Sequence, residues 1–227
     1  MKKITIILIM LFAAAFYAQT FKVDKVSGEV KAQTGTDENW VNVKTGMPVN
    51  SKTTLVTSNN SSVHISSGDI KFRLNESSAI NAVHLKKVTL DDLLLALAMD
   101  DMINAPKKKE NNKSKSTVVY GTKEGKKPLL IESDDFGIKK LNGAVQIAEA
   151  GFKESAVIAA KETFRKYPET NLIPPFRIYF AGILTGLGLY EEAYEDFSSI
   201  KKLKLSDKEK KEVEDKLEQL NKKLSAR

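Results

Sequence analysis

Two hydrophobic periods divide this chain, and the change between them falls near residue 89. Before it the period is two. Ile70, Phe72 and Leu74 alternate with Lys71 and Arg73, which predicts a strand with three apolar side chains on one face and two cations on the other. Shorter runs at 29–33, 40–44, 53–57 and 62–66 predict four more strands. Turn residues separate the last three: Asn59, Asn60, Ser61 and Ser62 in one break, Ser66, Ser67, Gly68 and Asp69 in the next. Residues 46–50 read as a turn whose Pro48 bars a central-strand position. Val23, Val26 and Val30 begin the region, and 80–87 predicts a last strand or two. The expectation is a small all-β domain over 21–88, a roll, sandwich or barrel.

From residue 89 the period lengthens. Leu90, Leu93, Leu94 and Leu97 recur at helical spacing, followed by Met102 and Ile103, with Thr89 as N-cap and Asp91 and Asp92 in the first turn. The apolar run closes at Asp100 and Asp101, far short of a membrane span. A packing helix over 89–104, covering an open face or edge of the β domain, is expected; a docking helix for a partner is the alternative. Residues 105–134 predict a basic linker, since Pro106 to Ser116 holds no other apolar residue. Within it Val118–Gly121 and Leu129–Ile131 could pair as a short hairpin.

Residues 135–227 predict a helical domain with an internal repeat. Ala150-Gly151-Phe152-Lys153-Glu154-Ser155-Ala156 aligns with Leu187-Gly188-Leu189-Tyr190-Glu191-Glu192-Ala193 at a spacing of 37. Each copy reads as a helix end with glycine, a short turn, an acidic first turn and a small residue for close packing. A charged helix over 206–224 follows, with Val213, Leu217, Leu220 and Leu224 on one stripe. The fold class expected is therefore α+β and multidomain: a small all-β domain followed by α-helical repeat hairpins.

Two resemblances rest on these residues. The succession Val26-Ser27-Gly28-Glu29-Val30-Lys31, Trp40 with Val43-Lys44 and Gly46-Met47-Pro48-Val49, Leu55-Val56-Thr57, and Gly68 through Leu74 resembles the FecR-type periplasmic β domain over about a third of the chain. That resemblance implies a non-enzymatic β module in the periplasm. Regulatory members carry an anti-sigma segment and a membrane helix ahead of this domain, and here a leader stands in that place. The helical part resembles the tetratricopeptide repeat, a hairpin of about 34 residues. The matching positions are Ala144, Gly151, Ala156 and Pro168, then Ala181, Gly188, Tyr190, Ala193 and Phe197. Gly143 departs from it, standing where a larger apolar residue is usual. Two hairpins are fewer than an independent stack needs, so a cover is expected from 129–131, from the 89–104 helix or from a second chain.

Charge and composition narrow the function classes. Lys2 and Lys3, an apolar run to Ala15 and small residues at the exit predict a signal peptide over 1–18, cut after Ala18 or, alternatively, Ala15. The expected location is exported, periplasmic or secreted, in a Gram-negative envelope, with no integral membrane span after cleavage. The net charge of +7 includes those two lysines and a linker run, not a basic stripe with interleaved aromatics, which argues against nucleic acid. Cysteine is absent, excluding disulfides and thiolate chemistry. His64 and His84 are the only histidines, and neither stands in a motif for metal binding or for nucleophilic catalysis. No enzyme and no cofactor is implied. A repeat groove lined by Leu141, Val145, Ile178 and Thr185, with Arg177 at its rim or in the core, is the candidate partner-binding site. Lys71 and Arg73 are candidate contacts for a polymer such as peptidoglycan or another anionic glycan. The leading expectation is a non-enzymatic envelope scaffold or adaptor that binds protein partners through its helices. Envelope signalling and cell-wall or glycan binding are the alternatives.

Overall fold

A computed structural model describes residues 20–36, 39–104 and 129–226. The expected leader at 1–18 and the basic stretch 105–128, with its Val118–Gly121 arm, lie outside the described residues. The architecture is α+β. Strands β1 (Phe21–Ser27), β2 (Val30–Thr34), β3 (Val41–Asn42), β4 (Pro48–Val49), β5 (Thr53–Thr57), β6 (Ser62–Ser67), β7 (Ile70–Leu74) and β8 (Ala79–Asn81) build two antiparallel four-stranded sheets. Their orders are β4-β1-β6-β7 and β3-β2-β5-β8.

The period-two pattern of β7 appears in space as a buried Phe72 and Leu74 with Lys71 and Arg73 exposed. Pro48 stands on an edge strand, where its missing N–H breaks no ladder. The run expected at 40–44 shortens to Val41–Asn42, which pairs with β2 only through Lys31 and Ala32 and leaves Trp40 and Val41 partly exposed. The strand expected at 80–87 also shortens. After Asn81 the chain turns through a 3-10 segment at Ala82–His84, because Ala82 and Leu85, three residues apart, both enter the core.

Six α-helices follow among the described residues: α1 (Leu90–Asn104), α2 (Phe136–Glu149), α3 (Lys153–Lys166), α4 (Pro174–Gly186), α5 (Tyr190–Ile200) and α6 (Asp207–Ser225). Three of them, α1, α2 and α6, begin with side-chain caps, whereas α3, α4 and α5 have no side-chain cap hydrogen bond. Thr89 and Asp92 exchange hydrogen bonds ahead of α1, Asp135 accepts from the Ile138 N–H at 2.9 Å, and Ser206 with Glu209 forms a reciprocal box. The helix ends at Gly151 and Gly188 are the same turn made twice. Gly151 N–H donates to Ala148 and Phe152 N–H to Ile147; 37 positions on, Gly188 donates to Thr185 and Leu189 to Leu184. Both glycines have positive φ, +94° and +81°. No helix among the described residues is long and apolar enough to cross a membrane.

Strands and helices share one core. The helix that covers the β part is α2, not α1: α2 lies against β8, whereas α1 buries Leu93 and Leu97 against α3. Gly143 explains how α2 comes so close. A Cβ there would run into the Ala79 carbonyl and stand 2.7 Å from Ile80 Cγ2, so the backbone of β8 occupies the space a larger residue would need. Two buried amides complete the junction, Asn142 just before Gly143 and Gln146 about a turn after it. Asn142 Nδ2 donates to the carbonyls of Ser77 and Ile131, at 2.7 and 2.8 Å, while its Oδ1 accepts from Ile131 N–H at 2.9 Å. Gln146 Oε1 accepts from Asn75 N–H, and its Nε2 donates to Ser78 Oγ, both at 2.7 Å. Residues 129–131 therefore form no strand: the Asn142 side chain satisfies the backbone of Ile131 instead.

Candidate functional site

The positions expected to line a groove are largely inside the molecule. Leu141 and Val145 are fully buried, packed in the core that α2 shares with β8 and α3. Ile178 is buried as well, and Thr185 is half-buried with its hydroxyl donating to the Ala181 carbonyl in its own helix. The α2 face expected to accept a partner is thus occupied by this chain's own sheet, whereas α4, which carries Ile178 and Thr185, packs against α3, α5 and α6. Arg177 is a bracing residue. Its guanidinium donates to Ser199 Oγ at 2.6 Å, stands 3.7 Å from Asp196 and lies over the Phe164 ring. Asp196 also receives Lys161 at 2.8 Å, so one carboxylate ties α3, α4 and α5 together. Burial lowers the Arg177 pKa and the Asp196 charge opposes that change.

Lys71 and Arg73 belong to a larger arrangement. Across β1, β6 and β7 the register places Lys22, Ser66 and Lys71 in one row, and Lys25, His64 and Arg73 in the next. Directly opposed residues share a face, so three lysines, an arginine and a histidine stand together on the solvent side of this sheet. Strand spacings put the cations of one row about 10 Å apart, and the rows about 7 Å apart. A register shift around Asp24 adds the only carboxylate of these rows, and Asp24 accepts from Ser66 Oγ at 2.9 Å. Among the described residues none of Lys22, Lys25, Lys71 and Arg73 has an ion-pair partner.

A second feature lies where the β part meets the helices. A cleft of about 210 Å³ opens between β8 and the pair α2–α3. Lys140, Glu162, Lys166 and His84 bring the charge to its walls; Gln33, Thr54, Asn81, Thr163 and Tyr167 bring polar groups. Glu162 Oε2 is 3.6 Å from His84 Nε2 and 3.9 Å from Lys166 Nζ. The hydrogen bond from His84 is the main reason its carboxyl titrates below the ordinary range, against the opposing effect of burial. Lys140 differs: its ammonium donates to Asn81 Oδ1 and sits 5.4 Å over the Phe136 ring, both neutral partners. Burial, with Lys166 adding repulsion, pushes its pKa down to about 8.

Comparison with family models, with curated proteins and with solved structures returns no match.

Among the described residues no group of three or more His, Asp and Glu side chains could hold a metal ion. The cleft offers fixed charge and hydrogen-bonding groups, an arrangement suited to holding an anion. Nothing in the sequence pattern announces it, because His84, Lys140 and Glu162 come from three separate elements. The cationic face was partly visible, as Lys71 and Arg73 alternate with apolar residues. Lys22 and Lys25 join them only through strand pairing.

Proposed function

We propose that this protein is an exported, non-enzymatic binding scaffold of the bacterial cell envelope. In this reading the β part is a FecR-like sandwich or roll, the helices are tetratricopeptide-like hairpins that brace it, and the open cationic sheet face holds an anionic envelope polymer. The observation that carries the reading is the pair of cross-strand rows, Lys22–Ser66–Lys71 and Lys25–His64–Arg73, which present on one face four cations without ion-pair partners among the described residues. A polymer with regularly spaced negative charges meets several of them at once, so modest single contacts add up. The test is co-sedimentation of the full chain with purified cell-wall polymer at low and high salt. Binding is expected to weaken steeply between about 50 and 500 mM salt and to be largely lost in a Lys71→Gln/Arg73→Gln variant. Salt-insensitive binding, or full binding by that variant, would refute it.

A specific observation also favours protein partners, by way of α1 instead of the groove. Leu95, Met99, Met102 and Ile103 recur along this helix and are 54–79% exposed, while Leu93 and Leu97 anchor its other side. The helix carries four aspartates and no lysine or arginine. Charge therefore disfavours an anionic lipid surface and favours an apolar partner face with a basic rim. A photo-crosslinker at Met99 in cells should give a discrete adduct to another protein that a Leu95→Glu/Met102→Glu variant loses. An adduct to lipid, or none, would remove this reading.

A further inference from the structure

We propose that the cleft between β8 and α2–α3 is a second, separate binding site, for a small sugar acid whose carboxylate meets Lys140 and Lys166. Its volume, about 210 Å³, is below that of pockets for drug-sized ligands and suits a single ring, not a polymer strand. Charge selects a monoanion. Glu162 lies 3.6 and 3.9 Å from His84 and Lys166, whereas Lys140 makes its direct contacts with the Asn81 amide oxygen and the Phe136 ring and feels Glu162 only at longer range. One positive charge is left over, which a carboxylate balances. A phosphate dianion would overshoot that balance and face Glu162.

The remaining walls describe the body of the ligand. Asn81 Oδ1 is a shared acceptor, taking hydrogen bonds from Thr54 Oγ1 at 2.8 Å and from Lys140. Side chains of this kind, fixed by their own bonds, suit hydroxyl groups more than an aliphatic tail. Phe136 and Tyr167 line the cleft with ring centroids 6.0 Å apart, and Trp40 continues the row 6.2 Å from Phe136, 40% exposed. Rings in the wall of a polar cleft, here Phe136 and Tyr167, offer the apolar surface against which one face of a sugar ring packs.

The cleft also has a cost that a purely structural role does not explain. A lysine largely withdrawn from water with no carboxylate in direct contact weakens the fold, and apolar residues of its length were available. Groups kept in unfavourable surroundings concentrate at working sites.

This inference does not depend on the cationic sheet face, and the variants separate the two. The full chain is titrated with sodium glucuronate, with glucose as the neutral ring and inorganic phosphate as the bare anion, by calorimetry and ligand-observed NMR. Glucuronate should bind saturably, and at least about ten-fold more weakly to Lys140→Gln and to Lys166→Gln. Glucose and phosphate should each bind at least about ten-fold more weakly than glucuronate, and Lys71→Gln/Arg73→Gln should bind glucuronate as wild type does. Lys140→Gln is expected to melt no lower than wild type, so weakened binding cannot be put down to unfolding. Absence of saturable glucuronate binding, wild-type binding by Lys140→Gln, or phosphate binding as tightly as glucuronate would each overturn the proposal.

Discussion

The backbone N–H of Asn75, just after β7, donates to Gln146 Oε1 on α2 at 2.7 Å. One turn earlier on the same helix, Asn142 holds Ser77 and Ile131. These buried amides tie a loop of the β part to the helices, and their polar groups have no substitute partner once removed. Asn142→Ala, which strands the N–H and C=O of Ile131, should therefore cost about 3 kcal/mol in urea unfolding. Probes of strand and of helix structure should still report one coincident transition in the wild type. Two separate transitions would show that the junction does not couple the halves.

Glycines on α2 and α4 should respond oppositely to a methyl group. Gly143→Ala puts a Cβ into the Ala79 carbonyl, and should destabilise by about 3 kcal/mol as α2 is forced off β8. Gly182→Ala meets nothing within 4 Å and should be neutral or stabilising by up to about 1 kcal/mol. Thermal melts of the two single variants decide the matter.

Lys140 makes stability depend on pH in a definite direction. Its folded pKa of about 8 lies below its ordinary value of 10.5, so the unfolded chain binds more protons between those values and stability rises with pH across that window. Below about 8 the burial penalty is fully present. Lys140→Met should thus be more stable than wild type at pH 7, by at most about 3 kcal/mol, with the difference shrinking toward pH 10.5. Denaturant melts of the pair at pH 7, 9 and 10.5 test the sign. A gap that widens with pH would contradict it.

The two sides of α1 should differ in energetic weight. Leu97→Ala removes a side chain packed against α3 and should cost about 2–3 kcal/mol. Met99→Gln and Met102→Gln, on the exposed side, should each change stability by no more than about 0.5 kcal/mol. Comparable losses on both sides would place a further packing surface against Met99 and Met102.

Legibility followed the range of the interactions. β7 was readable because alternation is a property of five adjacent residues, and 70–74 emerged with the same bounds. The glycine turns at 151 and 188 were readable because a helix end announces itself locally. Burial of Leu141 and Val145 was readable only in part. Their apolar character says they face something, and a groove was the partner that the repeat resemblance supplied. The occupant is β8, more than sixty residues upstream, and the sign of that contact in the sequence is Gly143, the position where the repeat pattern fails. The cleft had no local sign, since a lysine, a glutamate and a histidine spread over three elements look like ordinary surface residues until the chain folds. The 40–44 and 80–87 strands were over-read because alternation continued after strand partners ran out.

The attachment of Ile131 to Asn142 has a further bearing on the chain as a whole. The backbone on one side of 105–128 is moored to α3 through α1, and on the other side to α2 through Ile131. Shape on either side is set by these moorings and not by covalent continuity through 105–128. A chain cleaved between 104 and 129 should remain a single particle, its two fragments co-eluting under native conditions and parting only in denaturant.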